Sequence, residues 1–288
     1  MRPRRTEHLE MPTKRVADNR RLGRGVWPPT HIWAISLLLA NVSVAQDVHP
    51  VGAAVDVYDG FEGSTLSNVW ETSRFVAGAV EIQAGVVRAG HGAAKITVHS
   101  RDKFEAGASG NSDSERAELL EARALTSKER GAYEYTFSIF FPVSFPIVPT
   151  RLVIAQWKQY CPEDRKCSDD SPVLAIRYMS GVLRITQDID KRQTILYEEK
   201  NEFRGRWLDF RFQLRFSTRP DGWIKARLGD QHIVDYAGVT ANAENSATGY
   251  QPPGYFYFKT GLYRNVMAEP MTLYIDEYRK KSLPDAKF

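Results

Sequence analysis

An all-β fold, a sandwich or jelly roll of two antiparallel sheets, is what this sequence predicts, on three observations. Short stretches of alternating apolar and polar residues recur, with turn residues between them. No stretch keeps the helical period for long, and there is neither a sequence repeat nor a low-complexity tract. One long stretch, Tyr255 to Arg264, has two contrasting faces when read as a strand. Phe256, Phe258 and Leu262, with Thr260 between them, form a face built for burial. Tyr255, Tyr257, Lys259, Gly261 and Tyr263 form a face that is aromatic, cationic and able to move a proton. Tyrosine also favours sheets for packing alone, so this stretch by itself is better read as a plain amphipathic strand.

The chain divides into residues 1–45 and 46–288. The first part reads as a secretory leader: a long basic segment from Arg2 to Arg24, a short apolar run from Ile32 to Ala40, and the small-x-small site Ser43-Val44-Ala45. Met11 is an alternative start, and Arg20-Arg21 is a weak twin-arginine signal because the adjoining Leu22-Gly23-Arg24 is not apolar. The apolar run is too short to span a bilayer comfortably, so no stable membrane anchor is expected. The expected location is the periplasm or the exterior. The whole chain of 288 residues carries 39 basic and 35 acidic residues, net +4. Without the leader the balance is 31 against 32, which gives no footprint for nucleic acid. The remaining 243 residues suffice for one large β domain, expected as a monomer. Cys161 and Cys167 stand close together in a polar loop and, in an exported protein, should form a disulfide; zinc has no second ligand pair nearby.

In chain order, Asp56 to Glu62 opens the domain as a short strand and turn. Ala77–Val87 and Ala94–His99 alternate as strands, and Phe104–Ser114 is a polar, glycine-rich loop. Arg116–Ala122 reads as a strand with Ala117 and Leu119 on one face and Arg116 and Glu118 on the other; its Glu, Ala and Leu also suit a helix. Gly131–Phe141 and Leu152–Lys158 are strands. Val173–Tyr178 and Val182–Gln187 form a hairpin at Ser180-Gly181. Arg206–Phe216 turns at Pro220-Asp221-Gly222 into Trp223–Leu228. Thr272–Arg279 closes the domain.

Three strands each offer polar groups at i and i+2: Arg116 with Glu118, Gln156 with Lys158, and Tyr257, Lys259 and Tyr263 together. Singly these are weak signals, since an exposed Arg–Glu pair contributes under about 1 kcal/mol. If the strands are neighbours, the groups converge on one surface.

Arg-x-Glu at Arg116-Ala117-Glu118, Gln-x-basic at Gln156-Trp157-Lys158, and Tyr-Phe-Lys-x-Gly-x-Tyr at Tyr257–Tyr263 resemble the β-jelly-roll polysaccharide lyases. The likeness is to the heparin lyase I-like and glucuronan lyase-like families, with alginate lyases of the same fold more distant. It runs from about Asp59 to Arg279. The resemblance implies a concanavalin A-like sandwich and β-elimination at a uronate in an acidic polysaccharide. That reaction needs the carboxylate neutralised, a base for the C5 proton and an acid for the departing O4. By resemblance Tyr263 carries the proton, and Arg116 and Gln156 bind or neutralise the carboxylate. Lys259 adds positive charge in the same strand, with Tyr257 and Glu118 beside it. Where Lys158 stands, many relatives have His. Either Tyr263 then serves as base and acid, which suits glucuronate or mannuronate, or Lys158 or His99 takes the role.

No cofactor is expected for catalysis. Sandwiches of this class suggest a structural Ca²⁺ at Asp59, Glu62 and Asp276, against a second reading as a surface turn beside an acidic strand. Two other functions stay open: a lectin-like sandwich without catalysis, and a glycoside hydrolase on the same scaffold. The hydrolase reading lacks an evident carboxylate pair, because Asp276 and Glu277 are adjacent and by simple alternation point to opposite faces.

Overall fold

Alternation along the strands decides the architecture, because each strand has one apolar face to bury. The computed structural model describes residues 54–72, 75–103, 114–160, 172–243 and 254–284. Their strands are β1 (Asp56–Asp59), β2 (Trp70–Glu71), β3 (Val80–Gln83), β4 (Ala93–Val98), β5 (Ser114–Glu121), β6 (Ser127–Lys128), β7 (Ala132–Phe140) and β8 (Leu152–Gln159). The second half holds β9 (Leu174–Met179), β10 (Val182–Ile189), β11 (Arg192–Lys200), β12 (Trp207–Arg215), β13 (Gly222–Leu228), β14 (Gln231–Gly238), β15 (Tyr255–Asn265) and β16 (Met271–Leu283). The expected leader and the expected Cys161–Cys167 disulfide lie outside the described residues.

Two antiparallel sheets stack as a β-jelly-roll sandwich. The first has the order β14-β13-β12-β7-β16-β4-β3, with β1 also on β16. The second has the order β11-β10-β9-β8-β15-β5-β2, with β6 also on β15. Between them lies an aromatic core. Trp157 of β8 meets Phe212 of β12 at 4.7 Å and Tyr135 of β7 at 5.5 Å, centroid to centroid; Phe258 of β15 meets Phe137 at 5.1 Å. Each such ring contributes roughly 1.5–3 kcal/mol on burial, and together they fix which face of β8 and β15 turns outward. Glu121 of β5 ties the sheets together. It accepts Lys280 Nζ at 2.8 Å and Tyr278 Oη at 2.8 Å, both from β16.

The helical alternative for residues 116–122 is excluded: these residues belong to β5 apart from Ala122 just beyond it, with Ala117 and Leu119 buried. The expected strand at 77–87 is shorter, Val80–Gln83, because Gly78 takes a left-handed φ of 79° just before it. Four strands, β2, β6, β11 and β14, were not expected. β2 and β6 are two residues long, and β11 and β14 are terminal strands of their sheets, so neither of these needs a clean buried face. The turn before β11 is Asp190-Lys191, with φ of 50° and 65° and no glycine to announce it. Asn242 Oδ1 accepts the Asp190 N–H at 2.8 Å and holds it from outside the hairpin.

Near its middle β16 carries a bulge, with Asp276 opposite Ser138 but Arg279 opposite Thr136. Glu277, at φ 56°, is the extra residue. This overturns the simple alternation that put Asp276 and Glu277 on opposite faces. Asp276 pairs in register with outward-facing Ser138, and Glu277 accepts the hydroxyl of exposed Tyr58 at 2.7 Å.

Candidate active site

Strand register builds the site. β15 lies between β5 and β8, so outward side chains of all three strands share one surface. Arg116 stands opposite Tyr263, Glu118 opposite Gly261, Gln156 opposite Lys259, and Lys158 opposite Tyr257. The polar groups of the three strands therefore share one surface, as their spacing predicts. A bulge between Thr260 and Tyr263 brings Tyr263 level with Val153 of β8, which pairs with Arg177 of β9.

Tyr263 is the centre of a cationic cluster. The guanidinium carbon of Arg116 lies 4.2 Å from its ring centroid, and that of Arg151 lies 4.6 Å away. Arg116 comes from β5, and Arg151 immediately precedes β8, so cations reach the phenol from the strands on both sides. Arg151 Nε donates to Asn265 Oδ1 at 2.9 Å. Arg177 stands near enough to interact electrostatically with both Tyr263 and Arg151, and its Nε donates to Thr186 Oγ1 at 3.0 Å. Burial, with Arg151 beside it, pushes the Arg177 guanidinium below its ordinary value. Neither Arg151 nor Arg177 was anticipated. Arg177 was legible as an outward residue of a predicted strand; Arg151 sits in a loop, where alternation says nothing.

Beneath this cluster is a buried charged bridge. Glu118 is 2% exposed, Gln156 2% and Lys259 5%. Glu118 accepts the Gln156 amide on one oxygen and Lys259 Nζ on the other, the latter at 3.2 Å, with Arg116 Nη1 3.9 Å away. Burial opposes the ionised form of Glu118, but Lys259, Arg116 and the Gln156 amide outweigh it, and its carboxyl sits below the usual range. Burial, helped by Lys158 and Arg116, brings Lys259 down to about 8 against the pull of Glu118. Gln156 and Lys259, expected at the sugar, thus hold Glu118 instead.

The bridge crosses a whole strand. β5 and β8 flank β15, a separation of about 9.5 Å at ordinary strand spacing. Gly261, opposite Glu118, offers no side chain in its path. Its φ is 141°, and a Cβ there would lie 2.3 Å from the Ala117 carbonyl oxygen.

The sequence matches the polysaccharide lyase family over residues 61–279. The chain belongs to that family. The lyase is similar in structure to an endo-β-1,4-glucuronan lyase from the fungus Trichoderma reesei, with a TM-score of 0.61 and 17% identity over 79% of this chain and 95% of that one. It is also similar to the alginate lyase AlgAT5 of polysaccharide lyase family 7, with a TM-score of 0.49 and 14% identity over 73% and 84% of the two chains. A comparison with curated protein sequences gave no match.

Of the remaining expected residues of the lyase, His99 opens the loop into β5, whose Asp102 carbonyl accepts the Arg116 N–H at 3.2 Å. His99 follows β4 in the other sheet; its backbone N–H and Nδ1 both face Asp102, and its side chain is 65% exposed. Strands of the Tyr263 sheet carry no histidine, and neither do the sequences of the loops leading into β15 or out of β8, but His99 opens the loop leading into β5. Asp59, Glu62 and Asp276 do not gather as ligands. Asp59 accepts Phe61 N, Ser67 Oγ and Trp70 Nε1; Glu62 accepts His91 N; Asp276 accepts the N–H groups of Arg88 and Glu277. Among the described residues no group of three such side chains is placed to hold a metal. Backbone donors of the loop before β4 thus approach Glu62 and Asp276, where a cation was expected. Among the described residues no helix is long and apolar enough to cross a membrane.

Proposed function

We propose that the lyase cleaves a uronate-containing polysaccharide by β-elimination with Tyr263 as both base and acid. The observation that carries this reading is Tyr263 set between Arg116 and Arg151 on an outward sheet surface. In the phenolate form Tyr263 takes the C5 proton of the uronate. The electron pair forms the C4–C5 double bond, the C4–O4 bond breaks, and Tyr263 returns the proton to O4. The guanidiniums place positive charge where the carboxylate and the developing enolate need it. A tyrosine working alone needs the C5 proton and O4 on the same side of the ring, as in glucuronate and mannuronate. No strand of this sheet carries a histidine, which supports that economy, with His99 in the loop into β5 as the alternative base. β-1,4-Glucuronan is the first polymer to try, since the similar Trichoderma reesei enzyme is a lyase of that polymer.

Incubation with glucuronan, mannuronate-rich alginate, guluronate-rich alginate and heparin tests the reading. An ultraviolet-absorbing unsaturated uronate should appear with the first two and not the others. Its absence with every polymer, from folded protein, overturns the reading. Export of the chain after removal of residues 1–45 is proposed with it, and N-terminal sequencing of the secreted protein checks that point.

A further inference from the structure

The reacting carboxylate needs a second partner besides Arg116. Resemblance gives that place to Gln156, yet Gln156 is buried and its amide donates to Glu118. Resting on the β-elimination reading, we propose that Arg151 is the second cation on the uronate carboxylate.

Four features carry this assignment. Arg151 approaches the Tyr263 ring from the strand opposite to that of Arg116. Its Nε is committed to Asn265, which fixes the plane of the guanidinium and directs its terminal nitrogens elsewhere. Its backbone carbonyl also accepts the Asn265 N–H at 3.2 Å, so residues 151 and 265 are joined twice. Among the described residues no carboxylate pairs with Arg151, whereas Arg116 has Glu118 and Arg184 has Glu198. A partly exposed guanidinium beside the proton carrier, held rigidly and lacking an internal acid, matches what a carboxylate ligand requires.

Asn265 itself stands on a firm base. The preceding residue, Arg264, is fully buried; its Nε donates to Glu115 at 2.9 Å and its Nη1 to the Glu269 carbonyl at 2.6 Å. Glu115 and Arg264 therefore tie the end of β15 to β5 and to the loop beyond it, and Asn265 inherits that position. Asn265 is a positioning residue: it acts through Arg151.

The test compares Arg151→Ala, Arg151→Lys, Asn265→Ala and, as a control for net charge, Arg279→Ala on the opposite sheet. Cleavage is measured on glucuronan and on its methyl ester, and calorimetric binding of glucuronan oligosaccharides is measured in a Tyr263→Phe background, where nothing is consumed. Arg151→Ala should lower kcat/KM by about 10²-fold on the charged polymer and weaken binding by roughly tenfold or more. Arg151→Lys should recover part of this, and Asn265→Ala should lose less and mainly in KM. On the methyl ester, Arg151→Ala and wild type should converge, and Arg279→Ala should match wild type throughout. Undiminished binding in Arg151→Ala overturns the assignment. So does an equal loss of turnover on both polymers with binding intact, which would make Arg151 a support for Tyr263 alone. Folded wild-type protein that cleaves none of the four polymers overturns both this inference and the β-elimination reading; cleavage by wild type with Arg151→Ala unimpaired overturns the inference only.

Discussion

The outward faces of the two sheets are built from similar residues and arranged in contrary ways. On the second sheet Arg116, Arg151, Arg177 and Lys158 share a surface with Tyr263 and Tyr257, with Glu118 buried beneath Arg116 and Asp188 acting on Arg177. On the first sheet, Trp207, Phe140 and Tyr274 form a row in register, ending at Lys95 and Glu81. Cations there are matched by surface acids: Arg88 with Asp209, Lys95 with Glu81, Arg211 and Lys281 with Glu134, Arg279 with Asp56. A cavity of about 310 Å³ opens on this face beside Ser138, Asp209 and Glu277. Aromatic residues and arginines are common to both faces. Around Tyr263 the guanidiniums of Arg116 and Arg151 stack on an aromatic ring, whereas on the first sheet those of Arg88 and Arg279 meet exposed carboxylates.

Matched substitutions on the two faces can break that contrast. The largest effect belongs to the phenol: Tyr263→Phe should lower kcat by about 10²–10⁴-fold with the melting temperature unchanged. Tyr274→Phe, the same edit on the first sheet, should leave turnover as it is. Equal rates for both variants, measured on a polymer the wild type cleaves, would erase the distinction.

Next in size is the buried bridge. Lys259→Met leaves Glu118 charged and without its lysine, and should cost about 3–5 kcal/mol in urea unfolding. Adding Glu118→Leu should return part of it. Lys95→Met, which removes an exposed pair on the other sheet, should cost under about 1 kcal/mol. Lys259 also predicts a pH dependence. Its folded value of about 8 lies below the ordinary 10.5, so between these the unfolded chain binds more protons than the native one. Lys259 therefore weighs against folding below pH 8 and is relieved as pH rises from 8 to 10.5. Unfolding curves across this range should show that rising contribution in wild type and its loss in the Lys259→Met, Glu118→Leu double variant.

The smallest effect sharpens the assignment of the base. Lys158→Ala should raise KM a few-fold with kcat nearly constant, as expected for a residue that binds polymer uniformly. A collapse of kcat comparable to Tyr263→Phe would instead give Lys158 the place held by histidine in relatives.

Much of this was legible because period-two alternation is a strong constraint wherever one face must be buried. Phe256, Phe258 and Leu262 against Tyr257 and Tyr263 could be sorted from sequence, and so could Ala117 against Arg116. Alternation reports only which way a side chain leaves its strand, not what it meets. Lys259 points outward as expected yet ends buried against Glu118, because both lie over a glycine with nothing to hold them apart. Bulges break the rule outright, as Asp276 and Glu277 show. Arg151 escaped notice because a loop residue acquires its direction from a distant partner, here Asn265, 114 positions away. Edge strands such as β11 carry too little apolar patterning to be seen at all.

Gly261 also sets the parity of the strand segment beyond it. Losing a single codon there would turn over everything on one side of the gap: the phenol of Tyr263 would point into the core, and the guanidinium of Arg264 would take its place outside. Replacing the glycine is barred by the Ala117 carbonyl, and removing it exchanges an outward phenol for a buried guanidinium. Along this strand a lineage can therefore drift in the identity of its residues far more freely than in their number. Among lyase sequences, the spacing from Lys259 to Tyr263 should be more tightly kept than the residues within it.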